Sequence, residues 1–468
     1  MIFQNLIEMI RRIIKRMFGK KDIVERAIEK DVVVSEEMAR RIDLYSDIYK
    51  NRAPWLNENV RSTGIAASVA QEFARLVTIE FGSEISGNDF LNKEYQAFLK
   101  DLRWNIEYAA AKGGIAFKPY LSDGHIEVDV VQADGFFPVK FNSRNEVLAA
   151  VLPEEIVQGK YKYTRIEYHE FTDQGEMILN KAFRKRSDDT SDSLGREVEL
   201  NTLDEWEDLE PETLIAGVDR PLFVYLRMPS ANNIDSSSPI GLSIFDRAIP
   251  DIRDADEQWS RIIWEYEGSE LAIDADEGMF YRDEATGELK LPKGKERLFR
   301  IMNFAGIEME AKDGYHPYAP TIRDQSLFNG MNNILRQIEF KCGLAYGTLS
   351  NPENVDKTAE EIKASKQRSY STVKDIQNAT QDALDHLIYV MWVWQKIGNL
   401  GGSEYEVSYK WDDSIVVDRE KELLSMQQDA SLGMIRKELY IAKKYGVSEE
   451  EALKMMPAAD TRFRIQEE

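Results

Sequence analysis

The residue types that most often carry chemistry are few and scattered in this chain of 468 residues. Its four histidines, His125, His169, His316 and His386, include none with a partner at metal-ligand spacing. Asp283 followed by Glu288-Leu-Lys290 has the carboxylate and Glu-x-Lys pattern of metal-dependent nucleases. In so charged a chain that triplet also arises by chance. Asp274-Ala-Asp276-Glu-Gly278 begins like a calcium loop but lacks the third spaced ligand, and its twelfth position is Ala285 where a bidentate Glu is needed. Gly343-Leu-Ala-Tyr-Gly347 has loop glycines without the lysine and Ser/Thr that a phosphate-cradling loop requires. No metal or cofactor is expected. The chain reads as non-enzymatic, with a nuclease at Asp283, Glu288 and Lys290 as the alternative.

Composition narrows the classes further. A formal charge of −23 argues against a protein that grips nucleic acid over its whole surface, yet it suits one that nucleic acid merely passes. The lone cysteine, Cys342, permits no internal disulfide and fits a reducing compartment. No run approaches the ~18 apolar residues of a membrane span. The first 21 residues place Ile2, Phe3, Leu6, Ile7, Ile10, Ile13 and Ile14 among Arg11, Arg12, Lys15 and Arg16. This is a basic amphipathic arm. The cations interrupt the apolar stretch and follow its start, the reverse of a signal peptide. The arm suits docking to a partner protein, with surface membrane binding as the other reading.

The elements that position these residues begin with a long uninterrupted stretch. A turn-rich loop, Gly343 to Asp356, leads into Lys357-Thr-Ala-Glu-Glu-Ile-Lys, and neither Pro nor Gly follows until Gly398. Asp356 or Thr358 can cap it, and Glu361 can close a capping box. One helix of ~40 residues would span ~60 Å. Earlier, helices are expected at Ser35–Ile48, Val60–Thr78 and Asn92–Ala111, the last ended by Gly113-Gly114. Strands are expected at 115–121, 126–131, 136–141, 147–157 and 160–171 as an antiparallel meander. The acidic stretch 204–212 reads as a solvated loop without a role. A helix is expected at Gly241–Glu267, kinked or divided at Pro250. Short strands with tight turns are expected at Leu271–Asp274, Met279–Arg282, Glu288–Leu291, Arg297–Asn303 and Ile307–Ala311, and a second helix covers Thr321–Lys341. After a strand at Tyr405–Trp411, helices broken near Gly433 and a capped helix from Ser448 close the pattern. The fold class is α+β with several domains.

The order of these elements, with several local strings, resembles portal proteins of tailed bacteriophages, in the Gp6-like branch of long-tailed phages. The strings are Ile65 to Val77, Gly113-Gly-Ile-Ala-Phe-Lys-Pro-Tyr120, Ala133-Asp-Gly-Phe-Phe-Pro138, Pro221 to Asn232, Pro239-Ile-Gly-Leu-Ser-Ile-Phe245 and Val355 to Lys363. None is chemically diagnostic alone. Their order and spacing extend over nearly the whole chain.

The resemblance implies a homo-oligomeric ring, usually a dodecamer, at one capsid vertex, with double-stranded DNA packaged and ejected through its axial tunnel; a different capsid-associated scaffold protein, without a closed ring, is the other reading beside the nuclease. It implies as partners the terminase large subunit, a head–tail adaptor, and the major capsid and scaffold proteins, with no membrane. It implies a virion location at the portal vertex after assembly in the bacterial host cytoplasm. Mapped onto this chain, residues 1–34 are the arm, 35–240 the first part of the wing, 241–267 and 321–343 the two stem helices, and 268–320 the clip between them. Residues 344–356 are the tunnel loop, 357–417 the spine helix and remaining wing, and 418–468 the crown and tail. Asn351, Glu353, Asn354 and Asp356 would face DNA with neutral or negative groups. Lys357 is either a phosphate contact or a solvated lysine in the first helical turn.

Overall fold

A computed structural model describes residues 17–282, 289–291, 298–302, 315–351, 359–401, 404–411 and 419–456. The chain is mixed helix and sheet, as its patterning predicts. Helix α1 (Met17–Ile28) lies at the start of the described chain, and α2 (Glu36–Tyr49) follows, with the Ser35 hydroxyl accepting the Met38 N–H as a cap. Helix α3 begins at Ile65 and runs to Thr78, five residues later than periodicity suggests. The intervening residues are held outside the helix: the backbone N–H and hydroxyl of Thr63 both donate to Asp256 Oδ1 at 2.7 Å.

The stretch expected as one helix over Asn92–Ala111 is two, α4 (Asp89–Leu99) and α5 (Leu102–Lys112). Tyr95, Leu102, Ile106 and Ala109 are all buried, so the apolar spacing runs unbroken across the join. No Gly or Pro marks it. At the end of α5, Gly113 adopts φ 91° and caps the helix, as the glycine pair predicts.

Strand β1 (Gly82–Ser86) precedes α4 and pairs antiparallel with the distant β16 (Glu406–Lys410). The expected single meander divides into two sheets. Strands β2 (Gly114–Ser122) and β3 (His125–Gln132) form a hairpin that β10 (Val224–Arg227) joins on the β2 side. Strands β4 (Phe137–Phe141), β5 (Val147–Gln158), β6 (Tyr161–Thr172), β7 (Gly175–Arg186) and β8 (Arg196–Val198) form the second, with β9 (Glu212–Ile215) also on β7. The acidic stretch is no idle loop. Leu203 and Trp206 are 1% and 2% exposed, and with Tyr163, Ala182 and Leu200 they make a satellite core on this sheet.

Pro250 neither kinks nor ends a helix. It sits in the first turn of α6 (Ile249–Gly268), where its missing N–H has no carbonyl to meet. Helix α7 (Asp324–Cys342) runs antiparallel to α6, clamped near both ends: Lys341 lies 2.5 Å from Asp251, and Arg323 lies 2.8 Å from Glu265. Between these helices sits a small β module. Its strands β11 (Ala272–Asp276), β14 (Phe299–Met302) and β15 (Tyr315–Tyr318) pair in the order β14-β11-β15, and β12 (Tyr281–Arg282) pairs β13 (Leu289–Lys290). The β11–β14 pair is parallel, so tight turns cannot join those two strands. The strand expected at Ile307–Ala311 lies outside the described residues.

The long helix is real: α8 runs from Ala359 to Ile397, 39 residues. It is less a free spine than a core element. Val373, Ile376, Leu384, Leu387, Ile388 and Met391 are all at most 2% exposed. Their burial against α3, α4, β2 and β10 makes α8 the axis of the main core. Helices α9 (Arg419–Ser431), α10 (Lys437–Tyr445) and α11 (Glu449–Met455) are the last described elements, the final one capped by Ser448 as expected. Among the described residues, no helix is long and apolar enough to cross a membrane.

Candidate functional site

Strings scattered through the sequence meet at one packed hub. Gly113 and Gly241 touch backbone to backbone, and a Cβ on either would sit 2.3 Å or less from the other's carbonyl oxygen. Gly113 also needs its positive φ, so two constraints fall on one residue. Around this contact, the Met228 N–H donates to the Gly113 carbonyl at 3.0 Å and the Ile244 N–H donates to the Ala110 carbonyl at 2.9 Å. Strand β10 pairs β2 in the register Val224↔Phe117 to Arg227↔Gly114. The Phe136 ring stacks on Tyr225 with centroids 4.6 Å apart. Lys112, 1% exposed, donates to Asp134 at 2.7 Å. Burial alone would raise the Asp134 pKa, but Lys112 and Ser46 outweigh it and hold the carboxyl below its usual range.

The hub anchors the base of the antiparallel helix pair. Asp246, just before α6, accepts from Arg41 at 2.7 Å and from the Tyr45 hydroxyl at 2.6 Å. Asp256, within α6, accepts from Trp55 Nε1 at 2.8 Å as well as from Thr63. Both carboxylates are buried, and both tie α6 to the N-terminal helical layer. Removing Arg41 would leave the buried Asp246 carboxylate without its cation, at a cost of several kcal/mol (~3–5).

The second feature is the loop after α7. Gly343 caps α7 at φ 81°, and a Cβ there would meet Thr372 of α8 at 2.5 Å. Leu344 is fully buried. Glu339, also fully buried, then collects the loop. Its Oε1 accepts the N–H groups of Gly347, Leu349 and Ser350 at 3.0, 2.6 and 2.9 Å, and its Oε2 accepts the Ser350 hydroxyl at 2.8 Å. Successive amides converging on one carboxylate make a concave anion nest, here filled from within. Two turns earlier, Asn332 accepts the Asn351 N–H at 2.7 Å.

Of the residues expected to face DNA, Asn351 is exposed and stands where this pinned segment ends. Glu353, Asn354, Asp356 and Lys357 lie outside the described residues. Leu344 and Ser350 are buried, so the part of 344–356 able to line a channel is shorter than the sequence suggests. Sequence reasoning missed Glu339, Asp246 and Asp256. A charged residue among α7's apolar positions was the available signal for Glu339, and it needs the loop's amides to make sense.

Among the described residues, the candidate chemical side chains do not converge. Asp274 is engaged by Arg300 at 2.6 Å, and Asp276 accepts the Gly278 N–H at 2.8 Å. Lys290 lies on β13, while Asp283 and Glu288 lie outside the described residues. His125 meets Glu94 at 3.2 Å, and His386 donates through Nε2 to the Pro221 carbonyl at 2.8 Å. His169, 2% exposed, lies between Glu167 and Glu176 at 3.0 Å each. Burial alone would lower its pKa, but those hydrogen bonds outweigh it and hold the imidazole above its usual value. Among the described residues, no group of three or more His, Cys, Asp or Glu side chains could hold a metal ion.

The comparisons accord with an architectural protein. The family described as "Phage portal protein, SPP1 Gp6-like" matches residues 78–461. No curated protein matches the chain. A solved structure entitled "Neck of native GTA particle computed with C12 symmetry" is similar at 13% identity and TM-score 0.43, over 87% of this chain and 94% of that one. A likeness that loose decides nothing by itself. The family match spans more than four-fifths of the sequence, including most of the hub, both clamped helices and the pinned loop: this chain belongs to the SPP1 Gp6-like family of phage portal proteins, structural components of the phage particle rather than enzymes.

Proposed function

We propose that copies of this chain close into a ring at one capsid vertex, twelve by the family resemblance, and that double-stranded DNA enters and leaves through the axial channel. Helices α6 and α7 form the stem. The β module between them, within 268–320, is the clip on which the terminase large subunit and later the head–tail adaptor dock. Residues 351–357 present Asn351, Glu353, Asn354, Asp356 and Lys357 toward DNA. Major capsid and scaffold proteins surround the wing, and assembly takes place in the host cytoplasm before the ring becomes part of the virion.

The observation that carries this reading is the Glu339 cluster. A loop meant to sit beside moving DNA must be held at its base while its tip stays available. Glu339 and Asn332 fix residues 347–351 to α7, and the clamps to α6 fix α7 in turn. The chain's net charge of −23 supports passage over adhesion, because phosphate-neutralising lysines would hold DNA by counterion release.

The test is deletion of residues 351–354, leaving Ser350 on Glu339. Rings should form as in the wild type, while packaging or retention of DNA falls at least tenfold. Failure of ring assembly would instead make the loop part of the contact between copies and overturn its assignment to the channel.

A further inference from the structure

A groove of about 490 Å³ runs between the outer strand β3 and helices α4 and α5. Its wall carries Phe98, Trp104 and Tyr108, and Trp104 is 62% exposed. A tryptophan left in water beside a groove is unusual outside interaction surfaces. Val130, on the β3 side, is 40% exposed. Asn105 also lines the groove. It is only 5% exposed, and its Nδ2 finds no hydrogen-bond acceptor among the described residues. A buried amide N–H without an acceptor is costly, and an incoming carbonyl or carboxylate would satisfy it. Strand β3 ends its sheet, and no strand among the described residues pairs its outer edge. Its free N–H and C=O groups are a further docking ladder.

Charge and chain length together point to an occupant. The groove's ionisable lining comprises Glu94, Asp101, Glu127 and His125, with His125 already engaged by Glu94. It therefore favours an apolar segment bearing positive charge. The sixteen residues ahead of α1 are such a segment: Ile2, Phe3, Leu6, Ile7 and Ile10 with Arg11, Arg12, Lys15 and Arg16 against the single acid Glu8. Extended, sixteen residues reach about 50 Å, enough to leave α1 and cross a domain or a neighbouring copy.

We propose that residues 1–16 of this chain dock in the groove, with their apolar side chains on Phe98, Trp104 and Tyr108 and their cations near Glu94, Asp101 and Glu127. The basic arm is then an internal strap of the assembly, not a membrane anchor or a reader of another protein.

The test uses the full chain. Photoreactive p-benzoylphenylalanine replaces Val130 in one preparation and Trp104 in another. After irradiation and digestion, cross-links from either position should map to peptides within residues 1–16. Cross-links only to other parts of the chain or to other proteins, or none from either position, would overturn the proposal. Independently, Ile7→Asp with Ile10→Asp should speed hydrogen exchange of the β3 amides 126–131 at least tenfold, while amides of β6 stay unchanged. Equal β3 exchange in wild type and variant would equally overturn it.

Discussion

Glu339 holds Ser350 by two groups at once: Oε1 accepts its backbone N–H at 2.9 Å and Oε2 accepts its hydroxyl at 2.8 Å. The pair bridges α7 and the loop that follows it, so the path of residues 347–351 is set by a residue that is itself fully buried. Replacing Glu339 by Ala takes the carboxylate acceptor from three backbone N–H groups, the part-buried ones of Gly347 and Leu349 and the buried one of Ser350. The expected loss is about 3 kcal/mol or more, against about 1.5 kcal/mol for Ser350→Ala, which removes one hydrogen bond to the carboxylate. Urea unfolding of the two variants checks the order. Equal losses would mean that the amides, not the carboxylate, find other partners.

The contact between Gly113 and Gly241 makes a second prediction. Alanine at either position drives a Cβ into backbone, and at Gly113 it also strains a positive φ. Both variants should lose well over 1 kcal/mol and misplace the base of α6. Alanine at Gly124, whose Cβ would meet nothing within 4 Å, should cost only its φ strain and serves as the control. Thermal unfolding of the three variants is the measurement.

His386 predicts an acid limit. Burial pushes its pKa down to about 4 from 6.5, although its bond to the Pro221 carbonyl opposes this. The unfolded chain therefore binds the extra proton in the window between those values, so stability falls as pH drops through it. The full effect amounts to about 3 kcal/mol. His386→Gln keeps a donor for the carbonyl but cannot titrate. Its unfolding free energy should vary less than the wild type's between pH 7 and 4; identical slopes would contradict the assignment.

His169 gives the opposite sign. Its folded pKa is raised, so its contribution is complete below the ordinary value of 6.5 and is lost as pH rises through the folded value. The groups facing it, Glu167, Glu176, Lys118 and Arg165, form one buried network on β2, β6 and β7. Glu167 acts at the acid end. Burial alone would raise its pKa, but Lys118, His169 and Arg165 hold it well below the usual carboxylate range. His169→Gln should flatten the fall in stability above pH 6.5. Denaturant titrations at several pH values read this directly.

Local signals carried much of this fold. The caps at Ser35 and Ser448, the glycine stop at Gly113 and the uninterrupted helix after the loop follow from residue types a few positions apart. What spacing could not show was set by distant partners. The late start of α3 depends on Asp256, and the division of one amphipathic stretch into α4 and α5 leaves its periodicity intact. Trp206 looked solvated because its neighbours are acidic, yet it packs with Tyr163 and Ala182 from β6 and β7. The candidate site was legible as a turn-rich loop before a long helix. Its anchor was not, because Glu339 finds its partners only after the chain folds back eight to eleven residues later.

The proposed closed ring around a channel is open to direct observation. Negative-stain electron microscopy of the full-length protein, with its mass in solution measured alongside, tests it most directly. Rings with a central hole and a mass near twelve chains of 53.9 kDa are expected. Only monomers or dimers at every concentration, or particles without an axial opening, would contradict it.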